Sequence, residues 1–169
     1  MKHWVPETKP KNEQQAAGAA PRLLILDDEK PTLDIMEMAF KRRGFNVIVR
    51  QAGPDFDNPT ELAAIMDETK PDCLLTDFNM GMLTGADAFE TARTYNPIMP
   101  VILHTNNMAE VEAVESRLYG ITALRNKPAG NHELKEHVDA CTDLFSKALR
   151  SFGRLNIFPE DDTPKGQSR

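Results

Sequence analysis

One pattern constrains this chain more than any other: short apolar runs that close on a polar residue, each followed by a stretch of helical periodicity. Residues 22–26 (RLLIL) run into Asp27, Asp28 and Glu29. Residues 72–76 (DCLLT) run into Asp77, and residues 100–104 (PVILH) into Thr105. Residues 45–49 (FNVIV) and 121–124 (ITAL) complete the set. Continuous apolar runs this short suit strands buried on both faces. Such strands alternating with helices call for βαβ units and a parallel sheet covered on both sides. The spacing therefore predicts an α/β domain: a flavodoxin-like, doubly wound, five-stranded parallel sheet with helices on both faces. Ligands in that architecture bind beyond the carboxyl ends of the strands. Asp27, Asp28, Asp77, Thr105 and Lys127 all fall there.

The helices carry their own signals. Leu33, Met36 and Phe40 form a stripe that Gly44 closes, as glycine commonly does just past a helix. Asn58-Pro59 sets an N-cap before a first-turn proline, with Leu62, Ile65 and Met66 as the apolar face. Thr84 and Asp87 have capping-box spacing ahead of Ala88, Phe89 and Ala92. Val111, Val114 and Leu118 predict a helix ending at Gly120. Asn131 is expected to cap a last helix carrying Leu134, Val138, Cys141, Phe145 and Leu149, with Phe152 continuing the stripe. That stripe has two readings: core packing against the sheet, or, in its last two turns, a surface for a homodimer or another partner.

The periodic block spans residues 22–150. Residues 1–21, polar with three prolines, are expected to be a flexible extension, and residues 151–169 a partly disordered tail. Leu155, Ile157 and Phe158 in that tail read as a fold-back or docking segment. The tail is too short for a helix-turn-helix output domain. A net charge of −6 lacks the basic stripe of a nucleic-acid binder. The cluster Lys41, Arg42, Arg43 reads instead as a helix carboxyl end, where cations suit the dipole. No secretory segment or membrane-length apolar run is present. Cys73 and Cys141 have no metal-like spacing, and Cys73 lies in an apolar run as a small core residue. The expectation is a cytoplasmic protein that contacts neither nucleic acid nor membrane.

The strand-end residues also suggest a chemistry. Carboxylates converging on one point repel unless a cation sits between them, and hard oxygen ligands suit Mg²⁺. Such an ion neutralises phosphate oxygens while a carboxylate attacks phosphorus, a known route to an aspartyl phosphate. A lysine binds the phosphoryl group as a point charge, and a threonine hydroxyl donates to it. Each residue alone has a plainer reading: Asp27 and Asp28 as helix-start acids, Asp77 as a loop acid, Lys127-Pro128 as a turn. Their placement in order, one set per strand end, favours the shared site.

These segments resemble the response-regulator receiver family, and its stand-alone chemotaxis-type receivers in particular. The matching stretches are LLILDDE, LLTDFNMGMLTG, VILHT and NKP. The resemblance covers about residues 22–148. It implies Asp77 as phosphoacceptor, Thr105 and Lys127 as the switch hydroxyl and phosphoryl-binding lysine, and Gly85 as the loop glycine. It implies Mg²⁺ on Asp28, Asp77 and the backbone carbonyl of Asn79, with Asp27 acting through water. A histidine kinase or phosphotransfer protein would donate the phosphoryl group, and an unidentified downstream protein would read it. The Lys127-Pro128 bond is expected to be cis.

There are departures. Leu124 stands where a switch aromatic is usual. Asn106 and Asn107 follow Thr105, and Gly81 replaces a proline, which is expected to loosen the acceptor loop. Asn79 and Asn107 occupy the positions that tune phosphate lifetime. Two other readings compete. One is a pseudo-receiver that binds protein without phosphate. The other is an aspartyl-nucleophile phosphatase, disfavoured because Asn79 cannot shuttle a proton as an acid would. The chain is therefore expected to have no enzymatic activity beyond self-phosphorylation and dephosphorylation.

Overall fold

Five strands pair in parallel: β1 (Arg22–Asp27), β2 (Asn46–Gln51), β3 (Cys73–Asp77), β6 (Val101–Thr105) and β7 (Ala123–Asn126). This is a computed structural model, and it describes residues 19–151. The strand order is β2-β1-β3-β6-β7, the flavodoxin-like order. A small antiparallel hairpin, β4 (Asn79–Met80) and β5 (Leu83–Thr84), follows β3. The helices are α1 (Lys30–Lys41), α2 (Pro59–Thr69), α3 (Gly85–Tyr95), α4 (Met108–Glu112) and α5 (Asn131–Ser151).

Strand alternation divides the core into two layers. Leu23, Ile25, Leu75 and Ile102 pack with Leu33, Met36 and Phe40 of α1 and Val138, Cys141, Phe145 and Leu149 of α5. Leu24, Leu26, Leu74 and Leu103 pack with α2 and α3 on the other face, joined by Val111 and Leu118. The α5 stripe is thus covered by the chain's own core as far as Leu149. Phe152, Leu155, Ile157 and Phe158 lie outside the described residues. Cys73 and Cys141 are buried and form no disulfide. Lys41 ends α1 as expected, and Arg43 reaches Asp139 of α5 at 2.7 Å.

The expected caps at α2 and α3 are present. Asn58 accepts from the Glu61 N–H at 2.9 Å. Thr84 and Asp87 form the reciprocal box that opens α3. That box matters for function because α3 starts directly beneath the end of β3.

Several local expectations need correction. The helix predicted from Val111 to Gly120 is a five-residue α4 followed by a 3₁₀ turn, Glu115–Leu118. β-branched Val111 and Val114 weaken a short helix. Arg117 is drawn to Asp87 and Glu90 of α3, at 2.7 and 2.6 Å, while Leu118 enters the core. Strand β7 lies two residues later than the predicted run because it is an edge strand with alternating, partial burial. Asn131 is the first residue of α5 rather than its cap; the Ala129 N–H donates to Glu133 instead. The Lys127-Pro128 bond is trans, the isomer ordinarily preferred before proline. Gly81 lies at the corner of a hairpin. Met80 pairs with Leu83, so Gly81 and Met82 form a two-residue turn, with Gly81 at φ +78°. Hairpins of this length require positive φ at that corner, and glycine supplies it without strain.

Candidate functional site: an acidic pocket at the strand ends

Parallel pairing brings the predicted residues together. Asp27 ends β1, Asp77 ends β3 and Thr105 ends β6, while Lys127 follows β7 by one residue. The Lys127 N–H donates to the Thr105 carbonyl at 2.9 Å, which fixes the lysine's starting point at the pocket. Carboxylate oxygens of Asp27, Asp28 and Asp77 all lie within 4.8 Å of one another. Asp27 and Asp77 are buried and Asp28 is exposed, so the pocket has dry walls and an open mouth.

Lys127 Nζ lies 2.8 Å from Asp27 Oδ2 and 3.3 Å from Asp77 Oδ1. The other Asp27 oxygen accepts the Glu29 N–H at 2.9 Å. Asp77 Oδ1 accepts the Phe78 N–H at 2.7 Å. One ammonium therefore touches two carboxylates of a cluster of three. Burial, with the charge of Asp27 added, pushes Asp77 up to about 6 against the pull of Lys127. Burial likewise raises Asp27 despite its bond to Lys127. Burial opposes the Lys127 charge, but the hydrogen bond and charge of Asp27, with Asp77 behind them, hold its pKa above the usual value. A site with uncompensated negative charge and only hard oxygen donors fits a divalent cation such as Mg²⁺.

Gly85 makes the pocket floor possible. Its N–H donates to the Phe78 carbonyl at 2.7 Å. A Cβ there would lie 2.7 Å from the Asp77 carbonyl oxygen and 2.7 Å from Leu103 Cδ1. Gly85→Ala is therefore expected to shift backbone beside Asp77 and cost roughly 1–3 kcal/mol of stability, as overpacking does. An unchanged urea midpoint would contradict this packing.

The family model described as "Response regulator receiver domain" matches residues 23–139, well over half of the chain. The chain belongs to the response regulator receiver domain family. Solved receiver structures agree on the fold. A receiver domain protein from Clostridium thermocellum superposes with a TM-score of 0.63 at 21% identity, over 79% of this chain and 97% of that one. A CheY-like receiver from Methanospirillum hungatei gives 0.60 at 23% identity, over 76% and 98%. A response regulator from Thermotoga maritima, solved in complex with Mg²⁺-BeF, gives 0.57 at 18% identity, over 71% and 97%. Among the described residues of this receiver, no helix is long and apolar enough to cross a membrane.

The remaining sequence-chosen residues sit around the pocket rather than in it. The Thr105 side chain is buried and its hydroxyl accepts the Asn107 N–H at 3.0 Å. Leu124 lies on the β7 edge, 37% exposed, and so is free of the core. Asn79 and Asn107 are exposed, and both side-chain amides donate to Glu110. Sequence reading missed Glu110, although Asn107 and Glu110 have the spacing of a capping box.

A second missed group is buried behind Thr105. His104 and His137 stack with centroids 5.2 Å apart and share a 3.1 Å hydrogen bond between Nδ1 and Nε2. Arg125 Nε lies 3.2 Å from His137 Nδ1. Arginine can only donate, so neutral His137 carries its proton on Nε2 and donates to His104. His104 is left with a proton on Nε2, an atom that has no partner. Burial, the facing His137 and the Lys127 charge hold His104 well below the usual range. Burial and Arg125 lower His137 to about 4. Both rings are neutral at pH 7 and join β6 to α5 as polar core. Strand alternation could have flagged His104, which sits inside a fully buried strand.

Proposed function

We propose that this receiver accepts a phosphoryl group on Asp77 from a histidine kinase or phosphotransfer protein and signals through contacts with a downstream protein. One observation carries the reading: three strand-end carboxylates lie within 4.8 Å of one another, and Lys127 bonds to two of them. Asp28, Asp77 and the Asn79 carbonyl would hold Mg²⁺, with Asp27 acting through water, and the ion would neutralise phosphoryl oxygens. An Asp77 oxygen then attacks phosphorus as the donor's phosphorus–nitrogen bond breaks. The electron pair leaves with the donor nitrogen, which takes up a proton.

Lys127 already sits against Asp77, so it can pair with the incoming phosphoryl group without a large move. The Thr105 hydroxyl must give up its Asn107 partner to donate to that group. Asn79 and Asn107 flank this event and tune the lifetime of the product. Leu124 has no ring to swing, so the change at Thr105 must reach the output surface through other contacts. An amide at Asn79 offers no general acid–base, which disfavours phosphatase turnover of a small phosphate ester.

The reading is tested by titrating Mg²⁺ into the protein by calorimetry, followed by beryllofluoride, a phosphoryl mimic. Mg²⁺ is expected to bind wild type and to bind Asp28→Asn and Asp77→Asn at least tenfold more weakly. Beryllofluoride is expected to bind only when Mg²⁺ is present. A folded wild type that binds neither would instead support the pseudo-receiver reading, in which the fold docks a protein without phosphate.

A further inference from the structure

We propose that Glu110 is an anionic latch across the mouth of the pocket that selects against highly charged phosphoryl donors. The inference rests on the phosphoacceptor reading of Asp77. The Glu110 carboxylate accepts the Asn79 side-chain amide on one oxygen and the Asn107 amide on the other, the latter at 3.1 Å. Asn79 belongs to the segment after β3 and Asn107 to the segment after β6. A single side chain on α4 therefore ties the hairpin after β3 to the turn after β6.

Two consequences follow from chemistry alone. First, both Glu110 partners are neutral amides, so its negative charge is not cancelled by them. That charge lies against the segments that follow β3 and β6, through partners two residues beyond Asp77 and Thr105, near a site whose incoming ligand is itself an anion. Repulsion between them lowers the encounter rate, more so for a dianion than a monoanion, and salt screens it. Second, the Asn107 backbone N–H occupies the Thr105 hydroxyl at 3.0 Å. By holding the Asn107 side chain, Glu110 also holds the turn that keeps this hydroxyl engaged. Glu110 acts through its neighbours and through its field, so it is a positioning and specificity residue.

The two effects separate in two variants. Glu110→Gln removes the charge and keeps one acceptor oxygen, so one of the two amide bonds can persist unless a partner amide flips. Glu110→Ala removes charge and latch together. Rates of phosphorylation are measured by quenched intact-mass spectrometry at saturating Mg²⁺, which removes any change in metal affinity. Acetyl phosphate, the more charged donor, is compared with phosphoramidate at low and high salt. For Glu110→Gln the acetyl phosphate rate is expected to rise roughly three- to tenfold at low salt. The rise is expected to be smaller with phosphoramidate, and the salt dependence of the wild type is expected to flatten. Glu110→Ala should be at least as fast, with an unchanged thermal midpoint to within a few degrees.

Equal gains for both donors with unaltered salt dependence would overturn the charge selection, as would no gain at all. A loss of rate in a folded Glu110→Gln would overturn it as well. If wild type takes no phosphoryl group from either donor, the phosphoacceptor reading fails first, and that outcome is distinct from a rate that is measurable but insensitive to Glu110.

Discussion

In Mg²⁺-free buffer at pH 8, Asp77→Asn is expected to unfold at a higher temperature than wild type. Asp77 is buried beside buried Asp27, and its carboxyl is pushed up from 3.8 to about 6 by burial and by that neighbour. A folded pKa above the unfolded one means that the native state binds the proton more tightly. Stability is then highest below the unfolded value, falls as pH rises from about 4 through 6, and is level above that. The loss at the plateau amounts to roughly 3 kcal/mol. Asparagine carries no charge at any of these pH values. The advantage of the variant should therefore grow between pH 4 and 6 and vanish at the acid end. Saturating Mg²⁺ should shrink it, because the cation stabilises the ionised wild-type pocket. Differential scanning calorimetry across pH, with and without Mg²⁺, reads all of this. A variant no more stable than wild type at pH 8 would mean that the two buried acids do not oppose each other.

Lys127→Met should have the opposite effect. Lys127 Nζ is bonded to Asp27 at 2.8 Å and lies 3.3 Å from Asp77, both buried. Its removal leaves two carboxylates in a dry site with no cation. Breaking a buried pair in this way costs about 3–5 kcal/mol. The loss is expected to be greatest at neutral and alkaline pH, where both acids are ionised. It should ease towards pH 5, where protons replace the ammonium, and Mg²⁺ should restore part of it. Combining Lys127→Met with Asp77→Asn should recover stability beyond the sum of the single effects, since the two residues share one site. Urea midpoints for the four proteins complete the cycle. Strict additivity would contradict the shared pocket.

The sequence made some of this legible and hid the rest, for physical reasons. The central strands β1, β3 and β6 are buried on both faces, so they read as continuous apolar runs with sharp polar ends. That is why the ends of these runs mark Asp27, Asp77 and Thr105 as neighbours on one sheet edge. The edge strand β7 is half exposed and lacks such a run, so the apolar pattern points two residues early. Side-chain caps at Asn58 and at Thr84 with Asp87 act within one turn and were readable locally. By contrast, the break between α4 and the 3₁₀ turn coincides with Arg117 reaching Asp87 and Glu90, which lie 30 and 27 residues away. Glu110 and the His104–His137 pair also depend on partners from other strands or helices. Periodicity finds faces; it does not find which distant side chain will meet them.

On the phosphoacceptor reading, Asp77 takes a phosphoryl group in a Mg²⁺-dependent pocket. The most direct test is intact-mass spectrometry of the full chain after incubation with acetyl phosphate or phosphoramidate, with peptide mapping of the product. The expected result is a single phosphoryl adduct on Asp77, lost when Mg²⁺ is removed and absent from Asp77→Asn. A folded wild type that gains no adduct while a control receiver does, or an adduct that persists in Asp77→Asn, would contradict the account.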